Sequence, residues 1–388
     1  MKVKPEFFIV LWQERIDPHQ LALGIGRPYP LFMLVEKHPS SPEPKPVAAT
    51  DLSFVDKSKF LMRGDAYRPP VPEVILRETH MSQVFLAGDR VYKLKKPVRF
   101  PYLDFSTLAR REAACRAELE LNRRLAPDVY RGVVPLVRAA HGLAIGGPGE
   151  VVDWLVVMNR LDETQMLDRV IIEGRLHRWQ LDRLAYVLVQ FYRRAGPVFI
   201  SPAVHVAEWW RSLAYNRRIL LDPRFQLPSG SARYIDAMQR RFLIARARLL
   251  AERVRMRRIV DGHGDLRPEH ICLGDPVRII DCLEFNRRLR MVDPFDETAF
   301  LCVECERFGA AWASEYLRRR MVHALHDGDS EELFIFYRCH RATLRARLAI
   351  AHLLEPNPRT PEKWAPLTRT YLRLAAADAV KLERSLRA

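Results

Sequence analysis

A chain of 388 residues, 48% of them hydrophobic and 28% charged, can bury two modest cores, and no apolar run in it reaches the roughly 20 residues that crossing a bilayer requires. Its 63 Lys and Arg against 47 Asp and Glu leave a formal charge of +16, but the excess is spread along the chain, is mostly arginine and coincides with no RNA- or DNA-binding module pattern, so it argues for non-specific nucleic-acid contact at most. The six cysteines are dispersed rather than set in a disulfide framework, and Met1 to Leu11 lead into no signal-peptide core, which together predict a reduced, cytoplasmic setting.

Residues 1–69 hold isolated apolar pieces and the proline-rich run from His38 to Pro46, which supports neither helix nor sheet ladder; they are expected to be an N-terminal extension, partly disordered. Val84-Phe85-Leu86 and Arg90 to Leu94 then read as two strands joined at Ala87-Gly88-Asp89, where glycine makes positive φ cheap. On the second strand Lys93 and Lys95 share one face and Leu94 takes the other. A solvated basic strand edge would account for Lys95 and Lys96 better than for Lys93. Ser106-Thr107 open a helix from Leu108 to Leu125 with Leu108, Cys115, Leu119, Asn122 and Leu125 on one face. Val151 to Val157 reads as a buried strand, and the polar residues that follow at once place a linker near Val156 to Leu161.

Beyond the linker the apolar spacing is helical over Leu167 to Ile172, Leu181 to Arg193, Trp209 to Leu220 and Arg233 to Arg255, and again over Pro294 to His323, Glu331 to Leu354 and Lys363 to Leu386. Asp293 ahead of Pro294 is a plausible N-cap, with Asp296 and Glu297 favouring the helix dipole. Cys302-Val303-Glu304-Cys305 has no second CxxC or histidine pair to complete a zinc site and is expected to pack in the core.

The most informative stretch is DGHGDLRPEHICLGDPVRIIDCLEFN, residues 261–286. An apolar lead-in over Arg257 to Val260 breaks at His263-Gly264-Asp265, which presents Asp265 at a strand end; Ile271 to Leu273 and Val277 to Ile280 return as a hairpin that ends on Asp281. Two carboxylates sixteen positions apart therefore meet at one edge. Phosphoryl transfer needs that economy: one carboxylate to accept a hydroxyl proton, one to hold a metal on the phosphates, and a lysine on the phosphate oxygens. No lysine occurs between Lys96 and Lys363, so Lys93, Lys95 and Lys96 are nearly the only candidates for the last role.

This segment resembles the HGDxxxxN-hairpin-ID motif of the aminoglycoside and choline phosphotransferase superfamily, and residues 79–130 look like the N-terminal lobe of a bacterial branch whose members are often fused to a P-loop ATPase domain. The Walker signature G-x-x-x-x-G-K-[ST] of that second domain does not occur in these residues. The resemblance implies an α+β, two-lobed protein-kinase-like fold: a small N-terminal antiparallel sheet plus helix over residues 70–158, and a larger, mostly helical C-terminal lobe over 159–388. It implies transfer of the γ-phosphate of ATP or GTP to a hydroxyl of a small molecule, assisted by Mg²⁺ or Mn²⁺.

Residue by residue, it implies Asp265 as catalytic base with His263 of the same tripeptide, Asp281 as metal ligand, Lys93 on the phosphates with Lys95 in reserve, and Glu118, or Glu120, as the partner of Lys93. The loop from Thr79 to Gln83 would cover the phosphates, with Ser82 able to contact them, and linker backbone near Met158 would meet the adenine. One position departs from the pattern. Where the family places a metal-binding Asn, this chain has His270, and imidazole suits transition ions better than magnesium. Glu269 or Glu284 would then supply the missing oxygen, or His270 would hold a bridging water. Two substrate signals conflict: Arg338, Arg341 and Arg345 share a helix face that would favour an anionic acceptor, whereas the acidic run Asp293, Asp296, Glu297, Glu304 and Glu306 would favour a cationic one.

Overall fold

Period-two alternation builds the first lobe. The structure, a computed structural model, describes residues 52–387 apart from 101, 328–330, 356, 357 and 359; the proline-rich run lies outside the described residues. Helix α1 (Phe54–Leu61) is capped by the Ser53 hydroxyl, which accepts from the Asp56 N–H at 3.1 Å. Strands β1 (Val74–Glu78), β2 (Ser82–Ala87) and β3 (Arg90–Lys95) follow, then the short pair β4 (Arg99–Phe100) and β5 (Leu103–Asp104), helix α2 (Leu108–Arg123), and strands β6 (Tyr130–Ala139), β7 (Gly142–Ile145) and β8 (Glu150–Asn159). The main sheet is antiparallel in the order β1-β2-β3-β8-β6-β7. Gly88, at φ +61°, turns β2 into β3 as its sequence demands.

Each face of the sheet has its own core. Phe85, Leu94, Leu136 and Leu155 pack with Leu61 and Tyr67 on one side; Leu86, Val91, Val156 and Met158 pack with Cys115 of α2 on the other. Lys93 and Lys95, in phase with Val91, therefore face α2. Asp153 ties the layers together: Lys57 of α1 and Arg111 of α2 both reach its carboxylate at 2.8 Å, and Asp153 is 1% exposed. The lobe thus reaches back to Leu52, and the expected start near Pro70 is too late; α1 is short and polar on its outer side, so its apolar signal is faint.

The second lobe contains α3 (Leu167–Ile172), α4 (Arg178–Arg194), α5 (Pro202–Leu220), α6 (Ser229–Arg255), α7 (Arg287–Arg290), α8 (Pro294–Arg307), α9 (Ala311–Ala324), α10 (Glu331–Ala351) and α11 (Pro361–Ser385). Helix α5 begins seven residues ahead of the expected start, because Ser201 caps the Val204 N–H at 3.2 Å and Pro202 occupies the first turn. The single helix expected from Pro294 to His323 is two, broken where Gly309 adopts φ +105°. Helix α8 is buried from Pro294 to Cys305, and Asp293 caps it by accepting from the Phe295 N–H at 2.9 Å. Cys302 and Cys305 are fully buried free thiols, as the sequence predicts. No helix among the described residues is long and apolar enough to cross a membrane.

Candidate active site

Two short ladders carry the segment over residues 261–286. Strand β9 (Val260–Asp261) pairs antiparallel with the later strand at Met291–Val292, and between them β10 (Ile271–Cys272) pairs with β11 (Arg278–Ile279); Met291–Val292 is β12. The lead-in expected over Arg257 to Val260 shrinks to two residues. Gly262 is required here, since a Cβ would meet Val292 Cγ2 at 2.4 Å and Glu297 Oε2 at 2.8 Å. Glu297 is the keystone of the loop: its carboxylate accepts from the N–H groups of His263 at 3.1 Å and Gly264 at 2.5 Å, and from the Tyr192 hydroxyl at 2.8 Å. The sequence links Glu297 to the helix dipole and to an acidic run; nothing local signals that it turns inward, because its partners lie 33 and 34 residues earlier and on α4.

His263 is fully buried and faces no cleft. Its Nδ1 accepts from the Asp265 N–H at 3.3 Å and its Nε2 donates to the Ile280 carbonyl at 2.9 Å, so one neutral ring joins the backbone of Asp265 to the residue before Asp281. Burial first, and the neighbouring His270, push its pKa down to about 4. Expected beside Asp265 as a catalytic residue, it is placed here to position backbone.

Asp281 has φ +62°, a conformation Asp tolerates better than most residues. The Tyr130 hydroxyl accepts the Asp281 N–H at 3.2 Å and Asn122 Oδ1 accepts the Cys282 N–H at 2.9 Å. From Asp281 a row of ionic contacts runs into the first lobe. Lys93 donates to Asp281 at 2.7 Å and to Glu118 at 2.8 Å; Lys95 donates to the other Glu118 oxygen at 2.6 Å and to Glu284. Glu118, Lys95 and the Glu284 side chain are almost wholly buried, whereas the Asp281 side chain is 45% exposed at the cleft.

The electrostatics follow from this row. Burial alone would lower the Lys93 ammonium, but Asp281 and Glu118 outweigh it and hold it well above the usual lysine range. Burial would raise Asp281, yet Lys93 and then His270 pull it far below the carboxylate range. Glu118 likewise is lowered by Lys93 and Lys95 against its burial. Three carboxylates share two ammonium groups, and Glu284 takes the excess: burial, reinforced by the Glu118 charge, raises it despite Lys95.

Several expectations change here. Lys95 is not a solvated edge lysine; it is 0% exposed, and Lys96 ion-pairs with Glu78 at 2.5 Å. Glu284 faces Lys95 and is taken up by it, and Glu269 is held by Arg307 at 2.9 Å, so neither replaces the missing oxygen ligand in this arrangement. Glu120 is exposed on α2. Ser82 is 2% exposed and pairs with Lys95 within the sheet, which removes its hydroxyl from the loop surface. Met158 pairs with Val91 on one side and Tyr130 on the other, so its backbone is spent in the ladders; the strand runs on to Asn159 and the linker starts at Arg160. Val84, Leu161 and Ile280 are among the half-buried apolar side chains packed against the core that contains Met158.

Asp265 and Asp281 are bridged by His270. Its Nδ1 donates to the Asp265 carbonyl at 2.9 Å, and its Nε2 accepts from Arg267 at 2.9 Å while lying 3.5 Å from Asp281 Oδ2. Arg267 also donates to Asp265 Oδ2 at 3.0 Å. Burial would raise Asp265, but Arg267, His270 and Arg345 keep it below the usual range and so ionised near neutrality.

The two substrate signals cancel. Arg338 pairs with Glu306 at 2.6 Å and Asp378 at 3.1 Å, Arg341 with Asp296 at 2.5 Å, and Arg345 with Glu304 at 2.8 Å. The arginines of α10 and Asp296, Glu304 and Glu306 of α8 are therefore not rival acceptor sites but mutual partners in the core of the second lobe.

A strand lysine paired to a helix glutamate in a small antiparallel lobe, set against a loop-and-hairpin aspartate pair in a helical lobe, defines the protein-kinase-like fold, two-lobed and α+β as expected. No protein-family profile matches the chain. Uncharacterized proteins of Mycobacterium bovis and Mycobacterium tuberculosis are 34% identical to it over 316 residues, which is 80% of this chain and 58% of each relative, so the chain spans somewhat over half the length of the curated relatives it matches. Among solved structures it is similar to a choline/ethanolamine kinase family protein from Mesorhizobium loti (13% identity, 85% of this chain and 99% of that one, TM-score 0.47). It is also similar to a choline kinase from Cryptosporidium parvum (10%, 86% and 96%, 0.48) and to a thermostable mutant of an aminoglycoside phosphotransferase (13%, 84% and 98%, 0.45).

Proposed function

We propose that the protein is a phosphotransferase that moves the γ-phosphate of ATP or GTP to a hydroxyl of a small molecule. The observation that carries the reading is the ionic row from Asp281 through Lys93 to Glu118, ending within one histidine of Asp265. It brings together the lysine, the metal carboxylate and the base that phosphoryl transfer requires. Asp265, ionised at neutral pH, accepts the hydroxyl proton of the acceptor. Lys93 contacts phosphate oxygens, and Glu118, fixed by Lys95 from its other side, sets the position of Lys93.

The donor set fits a divalent metal held largely by phosphates and water: Asp281 Oδ2 is the carboxylate oxygen not already taken by Lys93, and one carboxylate plus substrate phosphates is an ordinary magnesium site. When bound, the metal would neutralise phosphate charge. His270 Nε2 lies beside that oxygen and as a nitrogen donor suits Mn²⁺ better than Mg²⁺. A nucleotide-binding protein of weak activity is favoured by one specific contact, the Arg267 guanidinium on both Asp265 and His270, which occupies base and metal-side nitrogen together.

Calorimetric titration of ATP and of GTP, with Mg²⁺, with Mn²⁺ and without metal, tests the site. Metal-dependent binding that disappears in Asp281→Asn supports it; absence of binding in every condition removes it. Asp265→Asn then separates the two readings. It is expected to abolish transfer and leave nucleotide affinity within about twofold, since a general base acts on the acceptor.

A further inference from the structure

A second cluster of ligating side chains joins the two lobes and shares no residue with the row at Asp281. His80 sits in the turn between β1 and β2, where the Thr79 hydroxyl accepts from the Met81 N–H at 3.3 Å and the Ser82 N–H at 3.0 Å. His352 and Glu355 come from the other lobe, at the 3₁₀ turn His352–Leu354 that ends α10. Positions three apart in a 3₁₀ turn eclipse one another, so local geometry alone sets these two side chains on one side.

His352 Nδ1 is 2.8 Å from Glu355 Oε1, and His80 Nδ1 is 3.6 Å from Glu355 Oε2. The two imidazoles lie 19° from parallel with centroids 4.8 Å apart, and His352 is backed by Trp364 at 4.0 Å. One ligand atom from each of His80, His352 and Glu355 lies within 4.8 Å of the others, and among the described residues this is the group of that kind that stands out.

We propose that His80, His352 and Glu355 form a site for one transition-metal dication, best matched by zinc, that clasps the β1–β2 turn of the first lobe to the end of α10 in the second. Two imidazoles and one carboxylate are a zinc donor set with a fourth position left to water, and they are poorly suited to magnesium, which prefers an all-oxygen shell. Donors about 2.0–2.2 Å from a shared ion stand roughly 3.3 Å apart, so the ligand atoms must close by about 1.5 Å at most and the rings must rotate out of their stack. Side chains that are 43%, 27% and 34% exposed, at a turn tip and a helix end, have room to do so.

The metal site stands without the phosphotransfer reading. Its consequence rests on that reading: the turn it pins is the one expected to lie over nucleotide phosphates, so the clasp would regulate how readily the cleft opens.

The test is a calorimetric titration of zinc chloride into the full chain, free of nucleotide and magnesium, with cobalt(II) as a visible-absorbing substitute. Wild type, His80→Ala, His352→Ala, the shape-preserving Glu355→Gln and Asp281→Asn are compared, each checked for folding by circular dichroism. One equivalent is expected to bind, at least roughly tenfold more weakly in each of the three clasp variants and unchanged in Asp281→Asn, with amide exchange at residues 79–82 slowed by zinc in wild type. Equal affinity in wild type and both histidine variants overturns the proposal. So does loss in Asp281→Asn alone, which would put zinc at the cleft carboxylate. Failure of the phosphotransfer reading appears separately, as absent nucleotide binding with zinc binding intact.

Discussion

His263 and His270 lie with ring centroids 6.1 Å apart, yet the structure uses them oppositely. His263 is sealed and neutral: its folded pKa, about 4, lies below the ordinary 6.5. A depressed histidine contributes stability that is whole above pH 6.5 and is lost as pH falls toward 4, because the unfolded chain then binds a proton the native chain refuses; by pH 5 the loss is about 2 kcal/mol. Urea unfolding at pH 7 and pH 5 should show wild type losing about that much more stability than His263→Asn, while His205 and His340, also lowered by burial, contribute equally to both. Parallel losses would remove His263 from the account. His270 lies at the cleft edge between both aspartates. His270→Asn, which puts an amide oxygen beside Asp281, should raise the ratio of Mg²⁺-supported to Mn²⁺-supported transfer by severalfold if the side chain meets the metal; an unchanged ratio of initial rates would place it outside the coordination shell. Asp265 and Asp281 were legible as candidates from local motif and spacing, and Lys93 and Glu118, with Glu120 as the alternative, from the resemblance of residues 79–130. Lys95 was not, since whether a strand lysine is wet or sealed depends on the helix packed over it.

At the scale of elements, the catalytic loop is shaped by a helix that follows it. Glu297 of α8 holds two successive loop N–H groups, and Gly262 leaves the space for it. In Glu297→Gln one acceptor is replaced by an N–H donor aimed at other donors, so the loop should shift and the turnover number fall by roughly 10²-fold, with nucleotide affinity little changed. Steady-state kinetics beside calorimetry would check this, and full activity in the variant would show that the loop holds without its carboxylate. Helix existence was readable from apolar period over most of the second lobe, the four-residue α7 excepted, but boundaries moved where capping outweighed hydrophobicity, as at Ser201-Pro202. The split at Gly309 was missed because apolar spacing continues on both sides of it. Helix α1 and its Lys57–Asp153 pair were missed for the opposite reason, a buried charge pair standing where an apolar contact would have been sought.

For the whole molecule the +16 excess is untouched by ion pairs, each of which removes one charge of either sign, but it is spread along the chain, and some of the arginines are not available to a ligand. Arg253, for example, is buried between Asp293 at 2.6 Å and Asp327 at 2.6 Å, and the α10 arginines are likewise matched inside the fold. Random-sequence duplex DNA should therefore bind no more tightly than about 10 µM at roughly 150 mM salt and fade steeply above it; fluorescence anisotropy across a salt series would reveal tight, salt-tolerant binding if a dedicated nucleic-acid surface existed. The seating of α2 has a consequence for control. Glu118 is followed one turn later by Asn122, which accepts the Cys282 N–H beside Asp281, and then by Arg124, which donates to the carbonyls of Asp261 and Gly262, each at 2.9 Å. In protein kinases control acts on the lysine–glutamate ion pair through the position of this helix, whose outward swing breaks it. Here the same swing would tear out the supports of both aspartate-bearing loops at once, so the protein has no inexpensive resting state of that kind. Under the phosphotransfer reading, the row from Asp281 to Glu118 is thereby locked to both loops, and restraint comes from access to the cleft.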